Sequence, residues 1–147
     1  MVEGVQRSWG QLYAARTLVK DYGARGLHFE VSATRREIDI VAQTPFGRLH
    51  VEVKTNLENL AGEAEASFEK EQIIKDLVAH AHGDYKDLLY LYHPDVADQL
   101  PGLGQRMLRL FDGEELPKLL KQRGIDVKRA RRAFEHWLPK GLKTYSL

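Results

Sequence analysis

The run Arg36-Glu37-Ile38-Asp39-Ile40-Val41-Ala42, the turn Gln43-Thr44-Pro45-Phe46-Gly47 and the run Arg48-Leu49-His50-Val51-Glu52-Val53-Lys54-Thr55 decide how this chain folds. Both flanks alternate apolar and polar residues, so each reads as a strand with one apolar and one charged face, and Pro-x-Gly between them reads as a hairpin turn. With Pro45 and Phe46 as the two loop residues, the antiparallel register sets Asp39 opposite Glu52 and Glu37 opposite Lys54. On the other face Ile38, Ile40 and Ala42 meet Leu49, Val51 and Val53, half of a core.

Two acids facing each other across a sheet repel, by up to about 1 kcal/mol. One resolution is a solvated strand face on which Lys54 neutralises the acids. The other is a divalent cation held by Asp39 and Glu52, with Lys54 two residues further along the same face and directed at the same place. Alternation alone leaves both open.

Composition narrows the chemistry. At 147 residues and 43% apolar content the chain is about one domain, large enough to bury a core. With no cysteine, disulfides, thiolate zinc sites and cysteine nucleophiles are excluded. No apolar run approaches the roughly 18 residues of a membrane span, and no basic-then-apolar leader opens the sequence. The expectation is a soluble, cytoplasmic protein with no membrane partner. The net charge of +1 hides an asymmetry: residues 1–113 carry 13 Lys and Arg against 17 Asp and Glu, residues 114–147 carry 9 against 4. A basic tail suits a polyanionic partner, and equally an ordinary solvated helix face.

Residues 3 to 22 place Val5, Trp9, Leu12, Ala15, Leu18, Val19 and Tyr22 at three- and four-residue spacings before Gly23, which predicts an amphipathic helix. Residues 26 to 32 alternate as a first strand, linked to the hairpin by Ala33-Thr34-Arg35. After Lys54 a polar run, Asn56 to Lys70, leads into a helix whose stripe is Phe68, Ile73, Ile74, Leu77, Val78 and Ala81, closed by Gly83, with Gln72 and Asp76 one turn apart on the opposite side. The run Leu88 to His93, ended by Pro94, is continuous and apolar and reads as a strand covered on both faces. Beyond it Pro101-Gly102-Leu103-Gly104 reads as a turn or mobile loop. Residues 105–110 and 114–122 read as short helices. Asp126 caps a last helix with Ala130, Ala133, Phe134, Trp137 and Leu138 inward. Lys128, Arg129, Arg131 and Arg132 crowd its first turns against the helix dipole, which favours an external anion.

The expected fold is therefore α/β: a mixed β-sheet core in the order α-β-β-β-α-β, flanked by helices, over residues 1–93, with a helical basic extension, 94–147, packed on the same domain. An acid on one strand, Glu-x-Lys on the next and this order of elements resemble the PD-(D/E)xK nuclease superfamily, which implies a restriction-endonuclease-like core. Within it, Glu-Ile-Asp-Ile-Val-Ala, a turn and His-Val-Glu-Val-Lys-Thr resemble archaeal Holliday-junction resolvases, small YraN-like bacterial proteins and RecB-type nuclease domains. The resemblance covers roughly residues 1–93; the tail has no counterpart in it.

The resemblance implies a metal-dependent endonuclease hydrolysing phosphodiester bonds, with DNA favoured over RNA. Asp39, Glu52 and the carbonyl of Val53 are implied ligands of Mg²⁺ or Mn²⁺. Lys54 is implied to orient the attacking water and neutralise developing charge, and Gln72 matches a glutamine typical of the RecB-like branch. Many members add a glutamate from the first helix, for which this chain offers Glu3; Glu37, on the Asp39 face, is another candidate acid, or else the partner of Lys54. Lys128, Arg129, Arg131 and Arg132 are the candidate nucleic-acid contacts. His50 lies beside Glu52 as a candidate phosphate contact, whereas His80 and His82 are two residues apart and face differently, against a joint metal site. Resolvase-like members commonly act as homodimers. Two alternatives stand beside this reading: a non-catalytic nucleic-acid-binding module that keeps the nuclease fold, and an RNA- or tRNA-cleaving toxin domain of a bacterial competition system, delivered into a target cytoplasm and partnered by an immunity protein.

Overall fold

Where apolar residues alternate the chain extends, and where they recur every third or fourth position it coils. The computed structural model describes residues 9–33, 36–54, 56–83 and 87–147; the side chains of residues 31–38 lie outside that description. Helix α1 (Trp9–Tyr22) is followed by strands β1 (Gly26–Ala33), β2 (Arg36–Thr44) and β3 (Gly47–Lys54), a short ribbon of β4 (Asn56–Glu58) and β5 (Ala64–Ala66), helix α2 (Lys70–His82) and strand β6 (Asp87–Tyr92). Helices α3 (Leu100–Arg109), α4 (Glu115–Gln122) and α5 (Val127–Gly141) and strand β7 (Leu142–Thr144) complete it. The protein is α/β, with a mixed sheet in the order β1-β2-β3-β6-β7.

Near its turn the hairpin folds as its sequence dictates, whereas the expected pairs Asp39–Glu52 and Glu37–Lys54 are not among the ladder pairs of the described residues. Thr44 pairs with Gly47 and Ile40 with Val51, the register expected from a Pro45-Phe46 loop. Thr44 Oγ1 donates to the Gly47 carbonyl at 2.9 Å and accepts from Phe46 N–H at 3.2 Å. Gly47 has φ +126°, a conformation that L side chains rarely adopt. The β1–β2 and β2–β3 pairs are antiparallel, whereas β3–β6 and β6–β7 are parallel, so the ribbon and α2 form the crossover between β3 and β6.

Period-two alternation sends side chains to two cores. Ile40, Ala42, Val51, Leu89 and Leu91 pack with Ala14 and Leu18 of α1 and with Tyr145. Val41, Leu88, Tyr90 and Tyr92 face α2, α3, α4 and α5 through residues such as Ile73, Leu77, Met107, Leu120, Phe134 and Trp137. The apolar stripe expected on the first helix holds in part: Leu18 is buried and Ala15 and Tyr22 pack against the core, but Trp9, Leu12 and Val19 are exposed and Ala14 and Thr17 are buried in their place. Small Ala14 and Thr17 let the helix approach the sheet more closely than a tryptophan would. Thr17 Oγ1 donates to Tyr13 O and accepts from Ser146 N–H at 2.8 Å, tying the C-terminal segment across α1. Val5 lies outside the described residues.

Three further expectations change. The run after Lys54 forms the β4–β5 ribbon, clamped by Gln99, whose amide accepts from Ala66 N–H at 2.8 Å and donates to Ala64 O at 3.0 Å. Pro101-Gly102-Leu103-Gly104 is not a loop but the start of α3, where proline near the helix N-terminus sacrifices no intrahelical hydrogen bond. In α5, Ala130, Phe134 and Trp137 are buried as expected, but Ala133 is exposed. The strand β7 inside the otherwise helical tail was not anticipated. Three residues are too few to show a period. Among the described residues no helix is long and apolar enough to cross a membrane.

Candidate active site

Asp39 sits where the sheet loses its regularity. The β2–β3 ladder ends at Ile40–Val51, and in the β1–β2 ladder the pairs Phe29–Ile40 and Val31–Ile38 bracket Glu30 and Asp39 without a recorded pair between them. Glu30 has φ +54°, the only positive φ of a non-glycine residue among those described. Such a conformation in a side-chain-bearing residue is uncommon and costs energy. At this irregularity the Asp39 carboxylate takes the place of a strand partner, with Oδ2 accepting from Val53 N–H at 2.9 Å. A strand residue directs its N–H and C=O to the same neighbour, so the Val53 carbonyl faces the Asp39 side too.

Glu52 and Lys54 lie on the face turned toward α2. The solvated reading of this face is overturned: Glu52 is 2% and Lys54 5% exposed. In the parallel β3–β6 ladder Glu52 pairs with Tyr90 and Lys54 with Tyr92. Tyr90 is fully buried, its ring centroid 4.7 Å from Lys54 Nζ, and its hydroxyl donates to Asp76 Oδ2 of α2. Burial and the nearby Asp76 carboxylate hold the Tyr90 phenol well above its ordinary pKa, so it is a neutral hydrogen-bond donor. Charges removed from water are tolerated only in company, and the Lys54 ammonium lies over the ring of Tyr90, whose hydroxyl donates to the buried Asp76. The expectation that Asp76 lies opposite the buried stripe of its helix is corrected, since its side chain is completely buried. Helix α2 packs on the sheet with one side and on α4 and α5 with another, so its inward arc exceeds the usual amphipathic stripe.

No family model, curated protein or solved structure matches this chain.

Asp39 is joined by the hydrogen bond from Val53 N–H to the end of β3, where Glu52 and Lys54 flank Val53, and Gln72 lies half-buried on α2, one turn before Asp76. Glu3 and the Glu37 side chain lie outside the described residues, and the Glu37 backbone pairs with Ser32 of β1. Lys128, Arg129 and Arg132 are exposed at the start of α5, where Asp126 Oδ2 accepts from Arg129 N–H at 3.3 Å; Arg131 is bound to Asp112 at 2.6 Å. His50 is half-buried, and desolvation lowers its pKa. His80 packs near Trp137 while His82 is exposed, and His93 accepts from Asp95 N–H through Nδ1.

Among the described residues no group of three or more acids and imidazoles is arranged to hold a metal ion. Two carboxylates, however, suit Mg²⁺, which keeps several waters and takes the rest of its octahedron from phosphate. Asp39 has one oxygen committed to Val53 and a second beyond it. Glu52 Oε1 is buried and accepts no hydrogen bond within the described residues, while the residue has other interactions. Sequence reasoning missed Glu30, Asp76 and Tyr90. The signal for Tyr90 was present in Tyr90-Leu91-Tyr92, where two phenols share one face of a buried strand and each needs a polar partner.

Proposed function

We propose that this chain is a metal-dependent nuclease that hydrolyses phosphodiester bonds of nucleic acid, DNA before RNA, on a restriction-endonuclease-like core of the PD-(D/E)xK type. The observation that carries the reading is the hydrogen bond from Val53 N–H to Asp39, which locks the isolated acid of one strand onto the middle of Glu-x-Lys on the next. Mg²⁺ or Mn²⁺, held by Asp39, Glu52 and the Val53 carbonyl, would supply a polarised phosphoryl group and an activated water. Lys54 supplies a compact positive charge for a phosphate oxygen and for the charge that develops in the transition state. Gln72 of α2 would contribute hydrogen bonds that orient the water or the phosphate. The exposed cations at the start of α5 add sequence-independent attraction for the polyanion. A cytoplasmic location suits this substrate.

One observation favours a second reading, a nucleic-acid-binding module without turnover: Glu52 and Lys54 are almost completely covered, and substrate must reach them. Incubation of the protein with plasmid DNA and with total RNA in Mg²⁺ or Mn²⁺ separates the two. Cleavage by the wild type and none by Glu52→Ala is the expected result. A wild type as inert as Glu52→Ala, yet still retarding DNA in a gel, would establish the binding module instead.

A further inference from the structure

The Tyr90 ring is fixed on every side. It meets the Trp137 ring edge-on, with centroids 5.8 Å apart and planes at 86°, and Trp137 Nε1 donates to Leu88 O at 2.6 Å. Its hydroxyl donates to Asp76, which has no exposed surface, and Lys54 Nζ lies 4.7 Å from its centroid. A core position that needed only volume would take phenylalanine opposite a leucine. Burying a carboxylate to satisfy a buried phenol is an expensive alternative. The arrangement has a consequence for the cation, however. A phenol that donates to a carboxylate has a more electron-rich ring, and an electron-rich ring holds an ammonium more strongly, especially out of water.

We propose that Tyr90 and Asp76 are a positioning pair for Lys54: Asp76 polarises and orients the phenol, and the ring fixes the Lys54 ammonium on the face it shares with Glu52. Neither residue touches the reacting phosphate; both act through Lys54. What the ammonium does once fixed rests on the nuclease reading above. Where it is fixed, and by what, does not.

Three variants test the pair: Tyr90→Phe keeps the ring and loses the hydroxyl, Asp76→Asn keeps an acceptor and loses the charge, and Tyr90→Leu removes the ring. Plasmid cleavage should fall roughly 10- to 100-fold in kcat for Tyr90→Phe and Asp76→Asn, the range for groups that orient a site's ligands, with KM for DNA unchanged. Tyr90→Leu should lose more. Circular dichroism confirms that each variant is folded. Independently of cleavage, nuclear magnetic resonance of the Lys54 side chain, assigned with Lys54→Met, should show ring-shielded CεH₂ protons in the wild type and in Tyr90→Phe, and no shielding in Tyr90→Leu. Folded Tyr90→Phe and Asp76→Asn variants with wild-type kcat would overturn the pair's effect on catalysis. Lys54 resonances unmoved in Tyr90→Leu would overturn the contact itself. An inert wild type that retains the ring shielding would refute the nuclease reading and leave the positioning pair standing.

Discussion

Asp39 has two tasks that one substitution separates. Its carboxylate accepts Val53 N–H and so closes the sheet where the ladder fails, and its charge is one of the two proposed for the cation. Asp39→Asn retains an acceptor and removes the charge. It should unfold in urea within about 0.5 kcal/mol of the wild type while plasmid cleavage falls by roughly 100-fold or more, as for loss of a preorganised charge. Asp39→Ala removes both and should also cost about 1 kcal/mol of stability. If Asp39→Asn cleaves normally, the acid is structural and the metal assignment fails with it. Gly141 gives a purely steric prediction: a Cβ there would lie 1.9 Å from Trp137 Cε2, so Gly141→Ala must displace an indole that holds Leu88 O, costing about 1–3 kcal/mol in a thermal melt. The face shared by Glu52 and Lys54 was legible because strand alternation is a rigid rule, whereas in place of the expected Asp39–Glu52 pair the Asp39 carboxylate accepts from Val53 N–H where the ladder ends. Asp76 was not legible because a helix packed on two sides hides a second inward arc that a single apolar stripe does not reveal. Glu30 was not legible because nothing in an alternating run announces the one residue that leaves the β region.

Among the elements, the β4–β5 ribbon depends most on a distant residue. Its three-residue strands are too short to be stable alone, and beyond the pairing with β4 the Gln99 side chain holds β5 through two hydrogen bonds. Gln99→Ala should cost about 1–3 kcal/mol, each of the two bonds contributing roughly 0.5–1.5. It should accelerate amide hydrogen exchange in residues 56–66 without changing exchange in β6. Uniform acceleration throughout the chain would mean that the ribbon unfolds with the core. The contact of α2 with α5 makes a prediction in pH. Burial beside Trp137 lowers the His80 pKa below its ordinary 6.5, and Asp87 opposes the shift only in part. The unfolded chain therefore takes up a proton at His80 before the folded chain does, so this residue's stabilising contribution is present above pH 6.5 and is lost as the pH falls. Urea unfolding should show the wild type losing more stability than His80→Gln between about pH 7 and 5. Parallel losses would mean that other groups dominate the acid limb.

For the molecule as a whole, the order helix, three strands, helix, strand was readable because each element is long enough to display its period. The parts that were not are short or exceptional: a ribbon of three-residue strands, a helix opened by Pro-Gly, and a terminal strand, β7, recruited to the sheet edge by parallel pairing with Tyr90 to Tyr92. The charge division does not follow the fold, since residues 114–147 carry an excess of +5 yet supply α4, α5 and β7 to the common core. Their cations must therefore be displayed from packed helices, not from a free tail. Lys128, Arg129 and Arg132 are exposed at the start of α5, whereas Arg131 is already committed to Asp112. A nucleic acid lying there would release about 0.9 counterion for each phosphate neutralised. Replacing the three exposed cations with serine should thus weaken DNA binding and flatten the slope of log K against log salt by about 2–3 units, measured by fluorescence anisotropy across a salt titration. Arg131→Ser should change the slope little and instead loosen the tie between α5 and the segment around Asp112. If the triple variant binds with an unaltered slope, α5 presents an ordinary solvated face, and the electrostatic attraction for nucleic acid must be sought on the sheet itself.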